Sequence, residues 1–228
     1  MSSLFRIYAA LLLCLGMNLA QAQGLESLSS GDAAAGLKEA LVQGADYAVG
    51  NLGVKDGFLG NKKVRIGLPD SLKSAEKAMR MFGMKDEADE LVESMNRAAE
   101  LAVAEAKPIL MDAIRKMTVK DAKDILTGGD DSVTQYFRRS TDKPLTEKFL
   151  PIVKKATARV QLAEQYNNYA GQAAKLGLVD KKDANLDSYV TARALDGLYH
   201  VIGEQEKALR QNPLGASSDL LKKVFGAL

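Results

Sequence analysis

Apolar residues recur three and four positions apart along nearly the whole chain, and this period restricts the fold more than any other feature. It is cleanest from Leu186 to Gln211. There Val190, Ala194, Leu195, Leu198, Ile202 and Leu209 share one side of a helix that Asn212-Pro213 ends. The same spacing joins Leu37, Leu41, Ala45 and Ala48 or Val49 between Ala33 and Asn51, with Gly53 as the stop. Further helices are expected from Pro69 to about Phe82, from Lys85 to Met117 with a break at Pro108, and from Thr118 to Leu126. Others are expected from Ser132 to Arg139, from Lys143 onward with a kink at Pro151, from Val160 to Leu176 and from Ser217 to Phe225. The breaks are placed at proline because it lacks an amide donor and crowds the preceding turn. The expected fold is an all-α bundle of about eight to ten helices. One stretch departs from the period: in residues 54–69 Val64, Ile66 and Leu68 alternate with Arg65 and Gly67, so a short extended piece is expected near residues 58–68.

The amino end reads differently. Arg6 precedes an apolar run from Ile7 to about Leu19, which closes on Ala20-Gln21-Ala22. A positive start, a short apolar run and small residues at Ala20 and Ala22 make a cleavable secretory signal over residues 1–22. The run falls short of the ~20 apolar residues that a bilayer span needs. Cys14 sits inside the run behind Leu11, Leu12 and Leu13, a context that argues against lipidation. Cleavage after Ala22 removes the only cysteine, so the mature domain, residues 23–228, is expected to be periplasmic, free of disulfides and free of thiol chemistry. Its length suits a single domain with a core large enough to stand without cross-links.

Charge adds exclusions. Thirty-one lysines and arginines face 29 acidic residues, interspersed along the chain, so no global field favours nucleic acid. Tryptophan is absent, which leaves little for stacking bases or sugars. His200 is the only histidine, so a transition-metal site of common type is not expected, nor is any cofactor. After signal cleavage no segment is apolar for long enough to span a membrane.

Five groups of residues merit attention. Asn96 and Glu100 share a helical face with Arg97 beside them, and with Asp112 they form a candidate polar cluster. Gln135, Tyr136 and Arg138 lie in the segment densest in interacting side chains, where a guanidinium offers parallel donors to a carboxylate or phosphate. The plainer expectation there is that Phe137 packs inward while Arg138 and Arg139 pair with Asp121 or Asp124. Gly128-Gly129-Asp130-Asp131 is read as a loop whose aspartates cap the next helix rather than as a calcium loop. Met79, Met81 and Met84 invite a copper reading, but core filling is the simpler account. Lys62, Lys63 and Arg65 form a local basic patch.

The segments GLKEAL (36–41), Leu52 to Phe58, VRIGLP (64–69), MNRAAELAV (95–103), DAIRKM (112–117), residues 121–141 and residues 194–226 together resemble the DUF4197 domain family of exported bacterial proteins. The resemblance spans nearly the whole mature chain. It implies a helical domain and export, and it implies no activity.

The leading expectation is therefore a non-enzymatic exported protein that binds a partner protein or a small ligand. An enzyme working through the carboxylates and arginines named above is the alternative. A bundle that holds an apolar ligand such as a lipid is the third reading. Convergence of the polar candidates in one cleft would favour the second, and a continuous apolar cavity the third.

Overall fold

In the computed structural model the structure describes residues 29–69, 81–83, 85–160, 163–164, 166–167, 175, 184–215 and 218–226. Seven α-helices occupy them: α1 (Ser30–Leu52), α2 (Lys85–Ala104), α3 (Lys107–Lys116), α4 (Val119–Leu126), α5 (Ser132–Thr157), α6 (Leu186–Gln211) and α7 (Asp219–Phe225). A 3-10 turn at Pro213–Gly215 precedes the last. No strand occurs among the described residues, and the fold is all-α. The signal segment 1–22, Met79 and Met84, and most of the helices expected at 69–82 and 160–176 lie outside the described residues.

The count of seven, against the expected eight to ten, also reflects a fusion. The helices expected at Ser132–Arg139 and from Lys143 onward are one helix, α5, with Pro144 and Pro151 inside it. Each proline frees the carbonyl four residues earlier, on Ser140 and Glu147. Both of those residues are exposed, so water can satisfy the carbonyls. The opposite side is uninterrupted: Phe137, Thr141, Leu145, Phe149, Val153 and Thr157 are buried at every fourth position. Burying such a side chain is worth roughly 1.5–3 kcal/mol each for the large apolar members, which outweighs a lost helical bond. At Pro108 the expected break does occur. Glu105 and Ala106 separate α2 from α3, and the proline sits in the first turn of α3, where a missing amide costs nothing.

Side-chain caps set the other boundaries. Ser29 accepts from the Asp32 amide, and Thr118 forms a reciprocal box with Asp121. Asn185 and Ser218 cap α6 and α7 in the same manner.

Helix α6 is central, packed against α5, α1 and α2. α2 lies along α5, and the other side of α1 takes α3, α4 and α7. Small residues on α1 permit this crowding: Ala34, Gly36, Ala40, Gly44, Ala45 and Ala48 are all buried. At Gly36 a methyl group would stand 2.6 Å from Val224 Cγ2 of α7. Packing there is tight, and the void among Ala40, Leu41, Gly44, Ile202 and Phe225 measures about 10 Å³, at the lower limit for one water.

The stretch between α1 and α2 is turns followed by an extended piece. Val64, Ile66 and Leu68 are buried while Arg65 and Gly67 are exposed, so the predicted alternation holds. No strand pairs with it among the described residues. The partner of its backbone is a side chain of α2.

Candidate functional site

Asn96 is fully buried on α2 and serves the extended piece as a neighbouring strand would. Its Oδ1 accepts from the Ile66 amide at 2.8 Å, and its Nδ2 donates to the Ile66 carbonyl at 2.8 Å. Nδ2 also donates to the Val92 carbonyl at 2.7 Å. One turn along α2, Glu100 Oε1 accepts from the amides of Phe58 and Leu59 at 3.0 and 3.1 Å. Its other oxygen accepts from Arg97 at 2.8 Å, and Arg97 reaches on to Asp56 at 2.8 Å. Hydrogen bonds to Glu100 and then Asp56 raise the Arg97 guanidinium above its usual pKa. Asp56 itself takes a left-handed φ of 67° at the turn, a conformation that aspartate tolerates better than most residues. These three α2 residues therefore fasten the 56–66 segment to the bundle. Every strong acceptor on Glu100 is engaged.

The remaining candidates lie elsewhere. Asp112 stands on the exposed side of α3, where Lys116, with Arg115, holds its carboxyl below the usual range. Tyr136 is buried and donates to the Ala113 carbonyl at 2.7 Å, tying α5 to α3. Asp112 and Tyr136 border one depression, together with Asp121 and Arg139. Gln135 donates to Asp131 one turn back, at 2.7 Å. Arg138 faces a different cleft. The seven residues are thus scattered rather than gathered in one converging set.

Two local expectations are corrected. Asp131 makes no side-chain cap on α5. That work falls to Glu206 of α6, which accepts from the Val133 amide and from Ser132 Oγ, both at 3.3 Å, and pairs with Arg210 at 2.9 Å. Burial raises the Glu206 carboxyl above its ordinary value, with Arg210 opposing the shift. Arg210 also donates to the Ile125 carbonyl, so the pair closes the α4–α5 junction. Second, Arg138 pairs with neither Asp121 nor Asp124. Its partner is Asp196.

That contact opens the cleft with the densest charge. It encloses about 710 Å³ between residues 63–67, the start of α5 and one side of α6. Five lysines and arginines line it (Lys63, Arg65, Arg138, Arg193, Lys207) against four carboxylates (Asp130, Asp131, Asp196, Glu204), with His200 among them. Arg138 and Arg193 meet the two oxygens of Asp196, each at 2.9 Å. Arg138 lies over the Tyr199 ring at 4.9 Å and Arg193 over the Tyr189 ring at 5.8 Å, and such placement adds a cation–π attraction. Tyr189 donates to the Gly67 carbonyl at 3.1 Å, and so secures the opposite wall. Lys63 pairs with Glu204, whose carboxyl is held below its usual range chiefly by that lysine. His200 stands 3.6 Å from the same carboxylate and is half exposed.

Of the cleft's residues only Arg138 is among the seven expected binding positions, although Lys63 and Arg65 belong to the basic patch. The missed signal is periodic. Tyr189, Arg193, Asp196, His200, Gly203 and Lys207 follow one another at steps of four and three along α6, a polar stripe on the side away from its apolar face. Among the described residues no three His, Cys, Asp or Glu side chains stand together as a metal site. No described helix is long and apolar enough to cross a membrane.

The fold and this cleft define a helical protein with a polar, preformed depression over its central helix. Residues 27–226 match the family model described as a protein of unknown function (DUF4197), and the chain belongs to that family. No curated protein and no solved structure matches it.

Proposed function

We propose that the protein is an exported, non-enzymatic binder of a small ligand, which it holds in the cleft over α6 in the periplasm. Export is supported by Arg6, the apolar run and Ala20-Gln21-Ala22. Binding is supported above all by how the cleft is built: its walls come from three separated stretches, and buried hydrogen bonds between Asn96 and Ile66 fix the wall at 63–67. A preformed site loses little ordering entropy when it is filled. The catalytic reading has weaker support, because Asn96 and Glu100 are spent on backbone groups and the polar candidates do not converge.

A second reading has one observation of its own. Between α2 and α5, Leu101, Pro151, Ile152 and Ala156 line a groove of about 760 Å³ bordered by Lys148, Lys155 and Arg159. Leu101 is 58% exposed there. An amphipathic ligand with an acidic head suits that groove better than it suits the tightly packed core.

Native mass spectrometry of protein taken from its own periplasm tests both. The expected result is a mature chain that begins at Gln23 and carries a retained small molecule. The retained molecule should be lost when His200→Trp fills the cleft. A bare monomer would overturn the proposal, and retention by the filled variant would move the site to the α2–α5 groove.

A further inference from the structure

We infer that the cleft over α6 takes an acidic ligand, with a carboxylate or phosphoryl group seated on Arg138 and Arg193. This rests on the binding reading above and names the chemistry of that same site.

Most of the carboxylates in the cleft are already engaged. Both oxygens of Asp196 are taken by guanidiniums, Glu204 is taken by Lys63, and Asp131 accepts from Gln135. A cationic ligand would therefore compete at three of the four carboxylates, with Asp130 alone lacking a partner among the described residues. The cations are in the opposite position. One carboxylate serves two guanidiniums, so the Arg138–Asp196–Arg193 group keeps an excess positive charge. Each ion pair occupies one Nη, and a guanidinium carries five N–H donors in a fixed fork. Arg65 and Lys207 line the same cleft with no ion-pair partner among the described residues.

Geometry favours recognition over mere attraction. The guanidiniums are held by a shared carboxylate on one side and by tyrosine rings on another, so their donors are oriented before a ligand arrives. Such a pair presents planar donors to the oxygens of one acid group. About half of each arginine side chain remains accessible, so an incoming anion reaches the donors without opening the fold.

The test is calorimetric titration of the full mature chain with inorganic phosphate, with succinate and with putrescine as the cationic probe. Phosphate or succinate should bind, and the tighter of the two identifies the source of the acid group. Arg138→Gln and Arg193→Gln should each weaken that binding by about tenfold or more, and Arg→Lys at either position should restore part of it. Affinity should fall as salt is raised. Unchanged melting temperatures would show that the variants fold, since both arginines are partly exposed. Binding of putrescine, with the two arginine variants binding it equally or better, would overturn the inference while leaving a binding cleft in place. Failure of every probe, together with a retained neutral ligand in the native preparation, would also overturn it. Failure of every probe with no retained ligand would remove the binding reading itself.

Discussion

Asn96 and Ile66 are joined by two hydrogen bonds of 2.8 Å, one in each direction, so a single side-chain amide stands in for the edge of a β-sheet. The consequence is functional as well as structural, because the residues on either side of Ile66 are the wall of the charged cleft.

Replacement of Asn96 by alanine orphans the buried amide and carbonyl of Ile66. Each orphaned group costs about 1–3 kcal/mol, so a loss of about 3 kcal/mol is expected in urea denaturation. Asn96→Asp keeps an acceptor but loses both donated bonds and buries a charge, and it should be no better. Limited proteolysis should then cut within residues 54–68 first. Wild-type resistance of that stretch in the alanine variant would refute the clamp.

Glu100 offers a graded companion. Glu100→Gln keeps an oxygen for the amides of Phe58 and Leu59 and gives up only the pairing with Arg97. Glu100→Ala leaves both backbone amides without an acceptor, while Arg97 keeps Asp56. Each buried amide left without an acceptor costs about 1–3 kcal/mol. The alanine variant should therefore melt well below the glutamine variant. Equal melting temperatures would show that the backbone bonds carry nothing.

Tyr199 predicts behaviour in alkali. Burial pushes its phenol up to about 12 from an ordinary value of 10.0. The folded state thus keeps a proton that the unfolded chain releases. Stability from this group is complete below pH 10 and is lost as pH climbs towards 12, with about 3 kcal/mol at stake. Tyr136 is raised in the same direction by its own burial and contributes alongside. Tyr199→Phe loses the bond to Thr141, at a cost of about 1 kcal/mol near neutrality. Its stability should fall less steeply than wild type between pH 10 and 12 in chemical denaturation, and parallel curves would be the contrary result.

Glu206 works at the other end of the scale. Its folded carboxyl is raised above the ordinary 4.5 by burial, so its contribution is whole below that value and declines as pH rises through the folded one. Glutamine at 206 does not titrate. The stability of Glu206→Gln relative to wild type should accordingly improve as pH is raised above 4.5. A relative stability that worsens with that rise would mean that pairing with Arg210 outweighs burial.

Helix periodicity carried the sequence reading where burial is one-sided. It gave α1, α6 and the α2–α3 break within a few residues, and the alternation at 64–68 showed which side chains turn inward. It failed at Pro144 and Pro151, because proline's penalty is local whereas the buried strip of Phe137, Leu145 and Phe149 is a tertiary gain. The polar residues were harder to read for the same reason. Asn96, Arg97 and Glu100 were grouped correctly by helical spacing, yet their partners, Ile66, Asp56 and Phe58, lie some thirty to forty positions away. Arg138 and Asp196 are 58 positions apart, and nothing in either neighbourhood announces the other. The stripe on α6 was available in the spacing, but an amphipathic helix always has a polar side, and only the fold reveals that this one is walled in.

The seat of α7 against Gly36 fixes an order of events for any chain delivered from its amino end. α1 emerges first, yet its small-residue face fits Val224, which lies close to the last described position. A chain being synthesised therefore carries α1 unclosed on that face until residue 224 has followed it. Contacts of such long sequence separation close slowly. The arrangement defers the final locking of α1 until α7 has formed and docked.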